Sequence, residues 1–131
     1  MKLVIKMKEI TKNNLQEFLE YYHYLHDSTI SNINSDIYNS KIEMFIDIYW
    51  SGEPVLKDDK TYETNKTKML IVFEGIERYN SKEFYSWNYI NDIYFKYIML
   101  KNKEYLCFSN EEEYPYIYIV CNKIFYEEQN K

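Results

Sequence analysis

Two histidines and an aspartate fall within one short stretch, EYYHYLHDSTI from Glu20 to Ile30, as His23, His26 and Asp27. Imidazole nitrogens and a carboxylate are donors for transition metals and agents of general acid–base catalysis, so their spacing decides which chemistry is open to them. On a helical wheel at about 100° per residue, His26 joins Leu15, Leu19 and Tyr22 on an apolar stripe, while His23 falls at its edge near Glu20 and Asp27. The two histidines are therefore not the i, i+4 pair that aims both rings at one ion. A Glu20, His23, Asp27 set would need the helix to reach Asp27, and Ser28 and Thr29 argue that it ends sooner. The spacing predicts a structural pivot. His26 packs at the helix end, Asp27 caps the turn by accepting a backbone N–H near Thr29, and a strand begins near Ile30.

Other reactive constellations are excluded on composition. With two glycines in all, the chain has neither a GxSxG elbow nor a glycine-rich phosphate loop. Ser28 and Ser31 lie close to histidines in sequence, but proximity along the chain does not make a triad. Cys107 and Cys121 show no CxxC spacing and sit in apolar segments, which predicts buried free thiols. No catalytic residue, metal-ligand set or cofactor is expected, and a binding protein is favoured over an enzyme.

The elements that must position these residues follow from periodicity. Leu15, Phe18, Leu19, Tyr22 and Leu25 recur at intervals of three and four and predict one amphipathic helix, capped by Thr11 or Asn13 and preceded by a short strand within Leu3 to Ile10. An irregular strand with a bulge follows Asp27. In IEMFIDIYW, Ile42, Met44, Ile46, Ile48 and Trp50 share one face, which must be core. Residues 51–66 have no apolar period and read as a long loop. The strand MLIVFEGIERY contains Gly75, which predicts a bulge or close backbone approach. The segment 82–90 is ambiguous between strand and helical turn. NDIYFKYIML, EYLCF and YIYIVCNKIFY complete the strands, and 127–131 should fray. The expected fold is α+β: a single domain with one N-terminal helix packed on a strongly curved antiparallel meander, a bent sheet or partial barrel, of about six strands.

The net charge of −5 and pI near 5.1 argue against nucleic acid, whose binding runs on clustered Lys and Arg. The abundance of Lys, Asn, Ile and Tyr, the lone arginine Arg78 and the lack of alanine share a codon explanation, an AT-rich and bacterial genome. The tyrosine excess is discounted accordingly. The start, MKLVIKMKEI, has too short an apolar run for a signal h-region and no stretch has membrane-span length, so a cytoplasmic location without membrane contact is expected. Glu111, Glu112 and Glu113, with Tyr114, Tyr116 and Trp87, form the candidate interaction surface, an acidic and aromatic patch for a protein partner. A homodimer through an exposed last strand is the other association considered.

The run LHDSTISNI, Leu25 to Ile33, followed by an alternating strand, resembles the His-Asp-small-residue opening of small bacterial proteins, among them the immunity protein 50 family of toxin-neutralising proteins. His26 and Asp27 carry the match. The resemblance implies a protein that binds and blocks a toxin, with no catalytic residues to carry over. The alternative reading is a small-ligand pocket or modest enzyme inside the curved sheet, lined by tyrosines and Trp87.

Overall fold

Ile42, Met44, Ile46 and Ile48 alternate along one strand, and all four are buried, which sets the core side of the sheet. Burying side chains of this size stabilises by roughly 1.5–3 kcal/mol each, enough to fix the register, since a one-residue slip would expose all four. The computed structural model describes residues 7–36, 38–53, 55–63, 66–81, 89–90, 94–109 and 117–129. In chain order the elements are β1 (Lys8–Ile10), α1 (Leu15–Tyr21), a short turn at His23–Leu25, β2 (Ser28–Asp36), β3 (Lys41–Ile48), β4 (Val55–Leu56), β5 (Tyr62–Glu63), β6 (Thr67–Ser81), β7 (Tyr89–Ile90), β8 (Tyr94–Leu100), β9 (Lys103–Ser109) and β10 (Ile117–Gln129).

The α+β class holds, and every ladder is antiparallel. The strand order is not that of a meander. It runs β7-β2-β3-β6-β10-β9-β8, with β1 alongside the far half of β10, so the sheet has eight strands rather than about six. β4 and β5 form a separate two-stranded ribbon within the segment read as a loop. The departure lies in β10, which returns to pair with β6 along its whole length and is flanked on its other side by β9 and then β1. The last strand is thus interior and is not the free edge that self-association through it required. Glu127, Glu128 and Gln129, expected to fray, continue β10 opposite Leu70, Met69 and Lys68.

Two long strands bend together. Gly75 has φ +68, and a Cβ there would stand 2.4 Å from Asn122 Nδ2 and 2.9 Å from Asn122 Cβ, so the bulge read from the sequence is also a close approach. Before the bend β6 lies between β3 and β10; after it, β6 pairs with β10 alone. Ser40 closes the inside of the bend, its carbonyl accepting from Gly75 N at 3.0 Å and its hydroxyl from Ile76 N at 2.9 Å.

Chain length demands a further curl. β7 and β8 stand at opposite ends of the order, about 29 Å apart in a flat sheet with ~4.8 Å between strands. Ile90 and Tyr94 are joined by a link that spans at most about 14 Å. The two ends therefore curve toward each other, yet no ladder joins them among the described residues and the sheet stays open. The core cluster gathers Phe18, Leu19, Tyr22 and Leu25 with Met69, Ile71, Phe73, Phe95, Phe108 and Ile124. Phe95 touches Phe18 of α1 at 5.8 Å between ring centroids and Phe108 at 4.8 Å, linking helix to sheet.

Candidate functional site

The helix that carries the histidines is shorter than its apolar stripe. It ends at Tyr21, and His23, Tyr24 and Leu25 follow at φ +50, +56 and +55 in the left-handed region, with Asp27 at φ +63. Non-glycine residues cost roughly 1–2 kcal/mol each there, so something must hold them. Leu25 is fully buried by the reversal. Backbone bonds run from Leu25 N to Tyr22 O and from His26 N to His23 O, both at 2.9 Å. A clamp from the far side completes the set: Gly52 N donates to Tyr21 O at 2.8 Å, and His23 Nε2–H donates to Gly52 O at 2.7 Å. That bond assigns the proton of a neutral His23 to Nε2. Gly52 itself has φ +64, a left-handed backbone that favours glycine, while a Cβ there would only meet the Tyr21 ring in ordinary contact at 3.4–3.6 Å.

The reversal also breaks the helical phase that placed His26 on the packed stripe. Its side chain is 46% exposed, and its Nε2 lies 3.4 Å from Asp27 Oδ2. Asp27 Oδ2 also accepts from Trp50 Nε1 at 3.2 Å. Trp50, expected in the core, is only partly buried, because the strand ends at Ile48 and the chain turns away before it. The helix thus ends at Tyr21, before either His26 or Asp27, and His26 is not packed at its end as the spacing predicted. The N-cap position is Asn14 rather than Thr11 or Asn13, and its side chain caps no helical N–H but ties back the preceding chain, its Oδ1 accepting from Thr11 N at 2.7 Å and its Nδ2 donating to Glu9 O at 2.8 Å.

Below the pivot, one rung of the sheet runs Thr29, Asp47, Lys68, Gln129 across β2, β3, β6 and β10, all directly opposed. Directly opposed residues project to the same face, and this is the face away from Ile46 and Met69. With Asp27, Tyr49 and Lys66 they line an open groove of about 730 Å³. Lys66 Nζ sits 4.9 Å from the centre of the Tyr49 ring, a cation–π contact. Tyr49 on this lining is 43% exposed, while Tyr21 and Tyr24, at the end of α1 and the turn after it, are 51% and 41% exposed. The Trp50 ring packs on Tyr49 at 5.6 Å and on His23 at 6.1 Å between centroids. The arrangement offers two carboxylates, two ammonium groups and an aromatic face, which can recognise polar or charged groups.

Glu111, Glu112, Glu113, Tyr114, Tyr116 and Trp87 lie outside the described residues. Among the described residues, carboxylates and an aromatic ring meet at Asp27, Asp47 and Tyr49 of the groove. The signal that could have found this cluster was Gly52, one of two glycines in the chain, two residues after a tryptophan. Among the described residues no group of three or more His, Cys, Asp or Glu is placed to hold a metal ion. Both cysteines are buried free thiols: Cys107 opposes Val120 and Cys121 opposes Leu106, which puts them on opposite faces of the sheet. No helix among the described residues is long and apolar enough to cross a membrane. No protein-family model matches the chain, and no curated protein or solved structure is significantly similar to it.

Proposed function

We propose that this chain is a bacterial, non-enzymatic binding protein of the toxin-neutralising kind, acting in the cytoplasm on another protein through the face built by Tyr21, Tyr24, Tyr49, Asp27 and Asp47. The observation that carries the reading is the half-exposed Tyr49 beside the groove carboxylates Asp27 and Asp47, with Tyr21 and Tyr24 also half-exposed at the strained turn that Gly52 clamps. Aromatic side chains that stay exposed at low rotational entropy are the usual anchors of protein interfaces, and carboxylates beside them select a basic partner. The net charge of −5 favours encounter with such a partner. The test is co-expression with the product of the neighbouring gene, reading growth and co-purification. Rescue of growth that is lost on replacing Tyr49→Ala together with Asp47→Lys supports the reading; rescue indifferent to both overturns it.

A second reading is supported by the groove itself, whose 730 Å³ lies within the usual range for small-ligand sites and which holds both Asp27 with Asp47 and Lys66 with Lys68. On this reading the ligand is a small zwitterion. A thermal-shift series with free amino acids would show saturable stabilisation, lost in Lys68→Met, and a flat series would remove the reading.

A further inference from the structure

A second cleft, of about 470 Å³, opens on the other side of the same sheet end, between α1 and the last residues of β10. We propose that this cleft binds an organic ammonium group, received by the carboxylates of Glu17 and Glu128 and the hydroxyl of Tyr22.

The aromatic wall comes first. Tyr22 follows directly on α1 and its ring packs on Phe18 at 5.0 Å and Tyr21 at 4.8 Å, with Tyr126 of β10 at 6.1 Å. Phe18 and Tyr126 close the corner at 4.6 Å. The rings meet at steep angles, so they present both edges and faces to the cleft. An alkylammonium suits such a wall, since its methylenes pack on the rings while its charge is drawn to their negative faces.

The polar groups are left unanswered by the protein. Tyr22 is only 5% exposed, yet its hydroxyl makes no hydrogen bond among the described residues. Among the described residues the sealed and unpartnered polar atoms are Ser28 Oγ and Glu127 Oε2, so the Tyr22 oxygen keeps access to the cleft that its residue lines. Neither Glu17 nor Glu128 has a cation within ion-pair distance among the described residues, although both line the cleft with Tyr22 and Tyr126. Their charge is felt there: burial first and then Glu128 push the Tyr22 phenol up, and burial followed by Glu17 and Glu128 pushes Tyr126 up. Lys8 is the one cation on the lining, and it is exposed. Two carboxylates and a phenol oxygen can take the three N–H groups of an ammonium, whereas calcium would ask for six or more oxygens.

The source of the ammonium is either a free amine or a lysine side chain on a bound protein, and two probes separate them. Amide chemical shifts are followed by NMR at constant ionic strength while n-butylammonium chloride, or an acetylated and amidated Gly-Lys-Gly peptide, is added to the intact chain. Saturable shifts confined to residues 14–22 and 126–128 are expected, weakened on the order of tenfold in Glu128→Gln and several-fold in Tyr22→Phe, which keeps the ring packing. Binding of the amine alone assigns a small-molecule site; equal or tighter binding of the peptide assigns a lysine pocket. The inference is overturned if neutral n-butanol gives the same shifts as the amine, or if both variants bind the amine as well as the parent does.

Discussion

His23 Nε2 lies 2.7 Å from the carbonyl oxygen of Gly52, and this bond joins the end of α1 to the chain leaving β3. It is long-range, it is paired with the Gly52 N to Tyr21 O bond, and it spans a turn that local energetics disfavour. His23→Ala leaves the Gly52 carbonyl with one donor fewer and releases the left-handed turn, so a loss of about 1–2 kcal/mol in urea unfolding is expected. His23→Gln, whose amide nitrogen can donate from a similar place, should recover part of that loss. Equal losses in both variants would mean that ring packing on Trp50, and not the hydrogen bond, is what His23 supplies.

Gly75 and Asn122 provide a test of the bend. Gly75→Ala places a Cβ within 2.9 Å of Asn122 Cβ at a positive φ, so two independent penalties combine, backbone strain of about 1 kcal/mol and steric overlap. Asn122→Gly removes the overlap and not the strain. The double variant should therefore lie between Gly75→Ala and the parent in thermal stability. If Asn122→Gly recovers nothing, the steric contribution is absent and φ alone sets the cost.

Much of the sheet was readable because its core side chains alternate without interruption. Ile42 to Ile48, the bulge in β2 between Ile30 and Asn32 and the Gly75 bend each leave a local mark in composition or period. What was not readable was non-local. Nothing in YIYIVCNKIFY says that its neighbours are β6 and β9 rather than β9 alone, because strand order is decided by which faces remain to be covered. The same limit applies at the pivot. His26 has a helical spacing from Tyr22, and only the reversal at His23–Leu25, built from residues that rarely adopt left-handed backbone, turns it outward. The groove was out of reach for a related reason: Thr29, Asp47, Lys68 and Gln129 come from four strands and meet only through register.

The buried thiols set the alkaline limit of stability. Burial pushes the Cys121 thiol up to about 12 from 9.0, and raises Cys107 as well, the latter opposed by a hydrogen bond with Tyr118. In the unfolded chain these thiols ionise first, so above pH ~9 the unfolded state holds fewer protons and stability falls as pH rises toward the folded value. Each such group contributes a slope of about 1.4 kcal/mol per pH unit within that window. Between pH 9 and 11 the parent should lose stability more steeply than Cys121→Ala, after correction for the cavity cost at neutral pH. Parallel curves for the two proteins would show that Cys121 ionises as readily folded as unfolded.

Ser28 offers a substitution expected to stabilise. It is fully buried at the start of β2, and its hydroxyl has no hydrogen-bond partner among the described residues. An unmade hydrogen bond in an apolar setting costs on the order of 1–3 kcal/mol, and alanine removes the hydroxyl while leaving the Cβ and the backbone pairing with Ile90 in place. Ser28→Ala should therefore raise the urea midpoint by an amount worth about 1 kcal/mol, with an unchanged m-value. Ser28→Thr serves as the opposing control, since it keeps the orphan hydroxyl and adds a methyl group to a packed site, and it should be destabilised. A Ser28→Ala protein less stable than the parent would show that the hydroxyl is bonded in solution, and the buried opening of β2 would then be wet rather than dry.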